Sequence, residues 1–592
     1  MILQPILFPR EDICTETELY YRSNSKQFGC NFFLSPHQTI SFDTYFNSFS
    51  IENWKEYTSI TNLFLNLKIQ GRCFIELFEA TLVNGTIQNR LLATHEKNEI
   101  EESITISFPD IANIHGICFF TISSKDESCR IIEGFYGTRI YSDSTNSIKI
   151  GIGICTYKRE SFVLKNLKAI QDTILDNPQS ELYNKLDIII SDNGQTLHNF
   201  NYHHPKVQIF PNINAGGSGG FARCMIEAIS HNLELNLTHF ILMDDDILLD
   251  PAVLVRTFCF LRCLRVNFRT KILGGAMLKS ENMSEQAING CIWSPTDGVR
   301  FSNPNSNLSN VSSILKNLNN KEPNFAPWFY CCIPIQYIRK DNLPLPFFFQ
   351  YDDTEFSLRE SSTVILLNGI SVWHSFLSKD NMCKQYCSYR NSRILKLLKK
   401  TPGKILATKK EMTLSFINLV GTYRYLDWIA LSQAEIDLWQ GTKSLKNKKT
   451  IVFCQKAIKT SYPQCGANKI STKATSFSTK KSDDKTWSFL KKIFFAANIF
   501  NTLLPKLKKD VIVLDSNDLT PDLFRLKKII YFRQNEDIYT IYQSNFKLFL
   551  WSILQFTKVL FHLRPSEATL QTKLRKEIRF ITSTDFWQSY LV

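Results

Sequence analysis

Three adjacent carboxylates, Asp244, Asp245 and Asp246, directly follow the apolar run of residues 240–243. Such a run predicts a buried β-strand, and a carboxylate cluster at its end is costly unless a cation lies nearby. Because side chains alternate across a strand, Asp244 and Asp246 can face one side while Asp245 faces the other. Two carboxylates on one face suit Mg²⁺ or Mn²⁺. A solvated acidic turn before a helix capped by Asp250 is the alternative.

A second acidic group contains Asp352 and Asp353, with Glu355 two residues further on. Neighbouring carboxylates that are partly buried resist simultaneous ionisation, so one of them binds a proton more tightly and is suited to general-base work. The alternative is that Asp353 caps a helix with Glu355 in its first turn. His374 follows an apolar run. It is either a core histidine or a further ligand for a cation held by the first acidic group.

A glycine-rich segment extends from Asn214 to Phe221, with the sequence NAGGSGGF. Four glycines are unfavourable at a helix start unless the backbone must approach another group closely. The segment is neither a Walker A motif nor G-x-G-x-x-G, because no Lys-Ser/Thr pair follows and the glycine spacing differs. We expect Asn214 to offer an amide to a ribose or base, and Gly216 and Gly217 to leave room for a sugar. A flexible loop is the alternative.

Polar residues also follow two earlier apolar runs. Thr156 and Arg159 lie after the first run, and Asp192 ends the second. Asp192 either accepts a hydrogen bond from a nucleotide base or forms an Asx-turn. Arg159 either contacts a phosphate or base, or is solvated.

These residues need a sheet to bring them together. Apolar runs predict strands, and a helical pattern lies between the glycine-rich segment and the first acidic group. Strands that alternate with helices predict a mostly parallel sheet whose ligand-bearing loops lie at the carboxyl ends of the strands. A segment rich in Asn, Ser and Lys is predicted to be a loop at residues 302–322, whereas strands are predicted at residues 148–157, 186–190, 207–210, 240–244, 272–278, 328–335 and 364–373.

The flanking regions have different patterns. Short β-branched and aromatic runs broken by turn residues at 32–145 predict an antiparallel sandwich or barrel, with a structural or carbohydrate-contacting role. Beyond residue 386 the apolar spacing is helical, interrupted by a Ser/Thr/Lys-rich linker at 461–485. Residues 485–509 and 546–564 combine basic and apolar residues. Both segments are predicted either to pack on the body of the protein or to lie in a membrane interface.

Composition limits the possible classes. The chain has 592 residues, 44% of them hydrophobic, a formal net charge of +14, and 16 cysteines scattered among apolar runs. We expect three or four domains, reduced core cysteines and no transmembrane helix. The late basic clusters would attract nucleic acid or an anionic membrane, but no zinc-finger, RRM-type or helix-turn-helix signature favours nucleic acid. The expected location is cytoplasmic, peripheral on the inner face of the cell membrane.

The order of the motifs carries a family resemblance. It resembles the family 2 glycosyltransferases of the GT-A fold, and more narrowly the galactan-polymerising galactofuranosyltransferases. The resemblance extends in architecture over about residues 30–430. The motifs that carry it are TYKR at 156–159, Asp192, the glycine-rich segment, DDD at 244–246, GGAML at 274–278, the Trp-led strand at 328, DDTE at 352–355 and WH at 373–374.

The resemblance implies an α/β chain of three parts. These are an N-terminal β-sandwich at 1–146, a GT-A (Rossmann-like mixed sheet) catalytic domain at 147–400, and a helical C-terminal region with basic amphipathic segments at 401–592.

The resemblance also implies roles for individual residues. Asp244, Asp246 and His374 would hold Mn²⁺ or Mg²⁺ on the diphosphate of a UDP-sugar. Asp353 would be the catalytic base. Trp328 would stack on the acceptor sugar, although the family has a second tryptophan where this chain has Phe329, which leaves acceptor length and linkage open. The nucleotide would be lined by Thr156, Arg159, Asp192, Asn214 and Asp244, and the sugars by Gly216, Gly217, Asp245, Asp352 and Trp373.

The implied activity is inverting transfer of galactofuranose from UDP-galactofuranose to a glycan or lipid-linked glycan acceptor. A rhamnosyl or other hexosyl transferase on the same scaffold is an alternative. A non-catalytic glycan-binding or assembly protein is an alternative of another class. Further partners that stay open are an anionic membrane surface and a second copy of the chain, as a homo-oligomer.

Overall fold

The structure is a computed structural model. It describes residues 1–23, 33–97, 101–139, 145–360, 363–375, 381–466, 477–478, 502–503, 511–514, 528–533 and 538–592. Most of the linker predicted at 461–485 and nearly all of the basic segment predicted at 485–509 lie outside these residues.

The N-terminal part contains two antiparallel five-stranded sheets. Alternating buried and exposed positions along the central strands give each sheet one apolar face, as the period-two pattern predicts. The orders are β1-β10-β5-β8, with β3 beside β10, and β2-β4-β9-β6-β7. The elements are β1 (Ile2–Pro5), β2 (Arg22–Ser23), β3 (Phe33–Leu34), β4 (Thr39–Ser41), α1 (Ile51–Tyr57), β5 (Phe64–Gln70), β6 (Cys73–Val83), β7 (Thr86–Lys97), β8 (Glu101–Ser107), β9 (Ile117–Ser124) and β10 (Cys129–Gly137).

The central part is a nine-stranded mixed sheet of order β13-β12-β11-β14-β20-β15-β16-β19, with β21 beside β15. Strands β13, β12, β11 and β14 are parallel, and β20 is antiparallel to β14 and β15. The elements are β11 (Ile150–Thr156), α2 (Glu160–Ile170), β12 (Leu186–Asp192), β13 (Val207–Pro211), α3 (Gly216–Leu235), β14 (His239–Asp244), α4 (Ala252–Cys263), β15 (Ile272–Lys279), β16 (Glu285–Ile288), β17 (Cys291–Ser294), β18 (Gly298–Phe301), β19 (Ser306–Asn307), α5 (Val311–Leu318), β20 (Tyr330–Pro334), α6 (Asp352–Glu360) and β21 (Val364–His374).

Register places three polar residues at one edge of this sheet. Thr156 on β11 is opposite Asp192 on β12, and Cys155 is opposite Asp244 on β14. Strands β11 and β12 are buried at almost every position, as expected for strands covered on both faces. The carboxyl ends of these parallel strands therefore meet where the sequence pattern predicts.

The segment at 302–322 is not the loop that its Asn and Ser content predicts. It contains β19 and helix α5, in which Ile314, Leu315 and Leu318 are buried. The spacing of these residues lies on one helical face, and burial of that face outweighs the low helix propensity of the neighbouring polar residues.

The C-terminal part is not wholly helical. Its helices accompany a five-stranded sheet of order β22-β26-β25-β24-β23. The two longest strands are rich in β-branched and aromatic residues, and such runs favour pairing across a short connection. The elements are α7 (Met382–Leu398), α8 (Lys409–Gly421), α9 (Tyr425–Gln440), α10 (Thr442–Leu445), α11 (Lys449–Ala457), β22 (Gln464–Gly466), β23 (Phe477–Ser478), β24 (Val511–Leu514), β25 (Lys528–Arg533), β26 (Ile538–Gln543), α12 (Phe546–Phe561), α13 (Glu567–Ile581) and α14 (Thr584–Tyr590).

Within the described part of the chain, no helix has the length and apolar character needed to span a bilayer. The cysteines whose side chains are described are free thiols, and all but Cys155 are buried. The domain boundaries predicted at residues 146 and 400 stay predictions.

Candidate active site

The end of β21 brings His374 to the acidic group after β14. Leu248 and Trp373 form an antiparallel bridge, in which Leu248 N donates to Trp373 O at 2.8 Å and Trp373 N donates to Leu248 O at 3.1 Å. His374 Nε2 consequently lies 3.0 Å from Asp246 Oδ1. One ligand atom from each of Asp244, Asp246 and His374 lies within 4.8 Å of the other two.

The chemistry of this donor set fits a divalent cation. His374 Nδ1 lies 2.7 Å from Ser375 O, and because a carbonyl oxygen can only accept, Nδ1 carries the proton of that hydrogen bond. A neutral His374 then directs the lone pair of Nε2 at Asp246. A lone pair and a carboxylate at this distance need a proton or a cation between them, and an imidazole with two carboxylates is a ligand set for Mn²⁺ or Mg²⁺.

Arg159 also contacts Asp246, together with the neighbouring Asp245. Its Nη1 pairs with Asp246 Oδ2 and lies 3.6 Å from Asp245 Oδ1. Asp245 is buried and also accepts a hydrogen bond from Tyr157 N at 3.3 Å. Asp245 is thus held by the segment that follows β11. The predicted contact of Arg159 with a nucleotide requires its guanidinium to leave this pair.

Burial raises the pKa of both Asp244 and Asp245. His374 and Arg159 oppose the rise at Asp244, whereas the charge of Asp245 adds to it. A charged carboxylate is costly where water is excluded, so a bound cation would relieve part of that cost.

Asp352 and Asp353 begin helix α6, next to the glycine-rich segment. Ser218 Oγ donates to Asp352 Oδ2 at 2.8 Å. Asp353 Oδ1 accepts from Thr354 N at 2.6 Å and from Thr354 Oγ1 at 3.0 Å. Ser218 was not among the predicted site residues. Its place inside the glycine-rich motif is the signal that could have identified it.

Both carboxyl groups of this acidic pair hold protons more tightly than usual. Burial, together with the charge of Asp353, raises the pKa of Asp352 to about 7. Burial raises the pKa of Asp353 to about 6, opposed by the hydrogen bonds from Thr354, while the charge of Asp244 adds to the rise. The two acidic groups therefore interact electrostatically, and Asp353 has a pKa suited to a general base near neutral pH.

Glycines in the glycine-rich segment permit close approaches to other parts of the protein. A Cβ on Gly216, which has a φ of 73°, would lie 1.9 Å from Phe348 O, and a Cβ on Gly220 would lie 2.0 Å from Cys155 Sγ. A Cβ on Gly217 would have only Asp352 Oδ2 nearby, at 3.8 Å. Gly216 and Gly220 therefore serve packing within the protein, whereas Gly217 faces the acidic pair.

Two residues predicted to contact the nucleotide have local partners. Asp192 accepts hydrogen bonds from the main-chain amides of Gly194, Thr196 and Leu197, at 3.1, 2.7 and 2.8 Å, so it forms the Asx-turn that was the alternative. Asn214 Oδ1 accepts from Gly216 N at 3.1 Å. Thr156 is buried beside them at the end of β11. A role in nucleotide binding stays a prediction for all three.

Two tryptophans predicted to contact sugars lie in the core. Trp328 is 4% exposed and packs edge-on against Phe221 and Phe356. Trp373 is fully buried, and its Nε1 donates to Met283 O at 2.9 Å. Their packing leaves neither ring on a surface that a sugar could reach. An isolated tryptophan in a sequence does not distinguish a stacking platform from core packing.

Comparisons with known proteins bear on these features. Residues 3–136 match the family model described as Galactofuranosyltransferase 2 N-terminal. The chain is 23% identical over 396 residues to galactofuranosyltransferase GlfT2 of Mycolicibacterium smegmatis, covering 62% of this chain and 58% of the relative. It is 23% identical over 360 residues to galactofuranosyltransferase GlfT2 of Mycobacterium tuberculosis, covering 57% of this chain and 54% of the relative.

The chain thus spans somewhat more than half the length of these curated relatives, and the predicted resemblance to the galactofuranosyltransferases is confirmed. Among solved structures, the chain is similar to the mannosyltransferase PcManGT from Pyrobaculum calidifontis in complex with GDP-Man and Mn²⁺. The TM-score is 0.29 at 11% identity, over 45% of this chain and 67% of that chain. A similarity at this TM-score carries no argument about fold or function.

Proposed function

We propose that this chain is an inverting, metal-dependent glycosyltransferase that transfers galactofuranose from UDP-galactofuranose to a glycan or lipid-linked glycan. The similarity to galactofuranosyltransferases supports the reaction class. The observation that carries the proposal is the convergence of two acidic groups. Burial raises the pKa of Asp353, the candidate base, to about 6, and the charge of Asp244, in the candidate cation site, adds to the rise. Removal of the acceptor proton by a base and neutralisation of the leaving diphosphate by a cation would both favour transfer from a nucleotide sugar to a hydroxyl group.

The fold supports the same proposal. The parallel strands β12, β11 and β14 end in Asp192, Thr156 and Asp244, and ligands of open α/β sheets bind at such ends. We assign the central sheet to the GT-A arrangement on this basis. Thr156, Arg159, Asp192 and Asn214 would line the nucleotide at that edge.

The mechanism assigns one proton transfer to Asp353. The carboxylate of Asp353 removes the proton from an acceptor hydroxyl as its oxygen attacks the anomeric carbon of the donor sugar. The bond between that carbon and the UDP oxygen breaks on the opposite face, so the configuration inverts. Asp353 holds the proton, and the electron pair of the broken bond leaves with UDP. A divalent cation held by Asp244, Asp246 and His374 would neutralise charge on the departing diphosphate.

Asp352 and Arg159 have supporting roles in this proposal. With a pKa of about 7, Asp352 is partly protonated near neutral pH and can donate a hydrogen bond to a sugar hydroxyl. Arg159 neutralises Asp246 and Asp245 in the free protein. When the donor binds, its guanidinium would turn to the phosphates, which suit its bidentate geometry.

A panel of nucleotide sugars tests this function. Purified protein with Mn²⁺ and a galactofuranose-containing glycolipid should release UDP from UDP-galactofuranose faster than nucleotide from any other donor. Preference for an activated rhamnose or another hexose would support the alternative transferase. Release from no donor would refute transferase activity and favour the non-catalytic glycan-binding alternative. A protein that only binds glycans, however, needs neither ligands for a cation nor a catalytic base.

We also propose that helix α12 attaches the protein peripherally to an anionic membrane. Its buried face contains Phe549, Ser552, Gln555 and Val559, which lie against the body of the protein. Its outer face is apolar, and Leu554 is 60% and Phe561 86% exposed. The helix carries lysines and no acidic residue. An exposed apolar face with basic residues fits a membrane interface, so packing and membrane binding would involve opposite faces of one helix.

A further inference from the structure

The turn that leads into the acidic pair has an unusual backbone. Phe348, Gln350 and Tyr351 have φ values of 70°, 62° and 67°, a region that residues with side chains seldom adopt. Three such residues within four positions are unfavourable on their own, so the surrounding structure must hold them. Helix α6 starts at the next residue, Asp352. The turn therefore sets the direction in which Asp352 and Asp353 enter the site.

The side chain of Asn391, on helix α7, holds this turn. Its Nδ2 donates to the main-chain oxygens of Phe349 and Gln350, both at 2.9 Å, and lies 3.3 Å from that of Phe347. Asn391 is fully buried. Water does not easily reach such a buried position. Loss of this hydrogen-bond donor would therefore leave main-chain oxygens unpaired, at a cost in free energy.

Arg390 fixes the orientation of the Asn391 amide. Its Nε donates to Asn391 Oδ1 at 2.9 Å, so the amide nitrogen must face the turn. Its Nη2 donates to Phe347 O at 3.0 Å, and its Nη1 donates to Tyr386 Oη at 2.8 Å. Tyr386 in turn donates to Asp437 at 2.6 Å. A continuous chain of hydrogen bonds thus links the turn to the C-terminal helices.

The glycine-rich segment supports the turn from another side. Gly216 is so close that a Cβ would lie 1.9 Å from Phe348 O, and Ser218 N lies 3.4 Å from the same oxygen. The turn is therefore held between the start of α3 and the side chains of α7, which leaves its backbone little freedom.

We propose that Asn391, oriented by Arg390, is a positioning residue that holds Asp353 where it can accept the proton of the acceptor hydroxyl. This role rests on the proposed transferase function. Loss of such a residue lowers kcat while leaving KM for the donor unchanged, because it misplaces the base and not the nucleotide. A residue that serves stability alone would change the amount of folded protein and not its turnover number.

The test compares Asn391→Ala with Asn47→Ala in the full chain. Asn47 is also fully buried, and its Nδ2 donates to the main-chain oxygens of Leu7 at 2.6 Å and Tyr20 at 2.7 Å. We expect Asn391→Ala to lower kcat by about tenfold to a hundredfold with an unchanged donor KM. Asn47→Ala should change neither constant for the folded fraction. Equal kcat values for the two variants would overturn the proposal.

Hydrogen exchange measured by mass spectrometry follows the turn without requiring turnover. Amides of residues 348–356, including Glu355 N, which donates to Tyr351 O at 2.9 Å, should exchange faster in Asn391→Ala than in Asn47→Ala. Unchanged exchange there overturns the proposal. If exchange is faster but the protein releases UDP from no donor, the result supports the role of Asn391 in holding the turn. It overturns the transferase function instead. If the alanine variant does not fold, Asn391→Asp is used in its place. This variant keeps the shape of the side chain but lacks the N–H groups that bind the turn, so the same results are expected.

Discussion

His374 Nε2 lies 3.0 Å from Asp246 Oδ1, although the two residues are 128 positions apart in the chain. The proton on Nδ1 is committed to Ser375 O. The contact therefore joins two groups that both have lone pairs to offer unless His374 is protonated. A neutral imidazole nitrogen and a carboxylate at this distance can both bind one cation.

The first prediction concerns that cation. His374→Ala should weaken Mn²⁺ binding at least tenfold, because it removes the one nitrogen ligand of the set. Titration calorimetry with Mn²⁺ in the presence of UDP measures the affinity. His231→Ala is the matched control, since His231 lies on α3 beside Glu227, away from the site. Equal Mn²⁺ affinity for the two variants would show that His374 is not a ligand.

The second prediction concerns stability and its dependence on pH. Burial raises the pKa of Asp353 from 3.8 to about 6, so the charged carboxylate costs the folded state free energy. A pKa higher by about two corresponds to a cost of about 3 kcal/mol at most. The cost is fully present above pH 6 and disappears below the unfolded value of 3.8.

Asp353→Asn should therefore raise the free energy of unfolding by about 1 to 3 kcal/mol at pH 7.5, and by much less at pH 4. Denaturant unfolding at the two pH values measures the difference. A variant less stable than the wild type at pH 7.5 would contradict the burial of a charged Asp353.

The third prediction separates backbone strain from close contact. Gly216 and Gly298 both have a φ of 73°, but only Gly216 would bring a Cβ against another atom within 4 Å. Gly298→Ala should cost about 1 to 2 kcal/mol of unfolding free energy. Gly216→Ala should cost about 2 kcal/mol more, because the methyl group must displace the main chain at Phe348. Similar costs for both variants would contradict the close packing of the turn on Gly216.

The fourth prediction concerns membrane attachment through α12. Leu554→Glu and Phe561→Glu should each reduce binding to vesicles that contain phosphatidylglycerol by about tenfold, because each places a charge in the apolar face. Val266→Glu is the control, since Val266 is exposed on the central part of the chain. Co-sedimentation measures the bound fraction. Unchanged vesicle binding with loss of a dimer would assign this face to a second copy of the chain.

Much of the site follows from the sequence because local signals specify it. An apolar run that ends in a polar residue marks the carboxyl end of a buried strand, and parallel neighbours bring Thr156, Asp192 and Asp244 to one edge. The approach of His374 follows from the family resemblance and not from the pattern alone. Its cause is the bridge between Leu248 and Trp373, a contact between distant segments.

Other features leave no local signal. The hydrogen bonds from Asn391 to the turn connect positions more than 40 residues apart, so the spacing along the chain does not reveal them. Burial of Trp328 and Trp373 depends on which side chains surround them. Helix α5 and the sheet that contains β25 and β26 differ from the predicted loop and helical region, because the spacing of apolar residues decides these elements more than residue composition does.

UDP release by the wild type and by Asp353→Asn, with Mn²⁺, UDP-galactofuranose and a glycan acceptor, tests the central claim most directly. The wild type should release UDP only when the acceptor is present. Asp353→Asn should bind UDP equally well and release it about a hundredfold to ten-thousandfold more slowly, because the acceptor hydroxyl keeps its proton. Equal rates for the two proteins would contradict the assignment of Asp353 as the base, and no release by the wild type would contradict the proposed transferase.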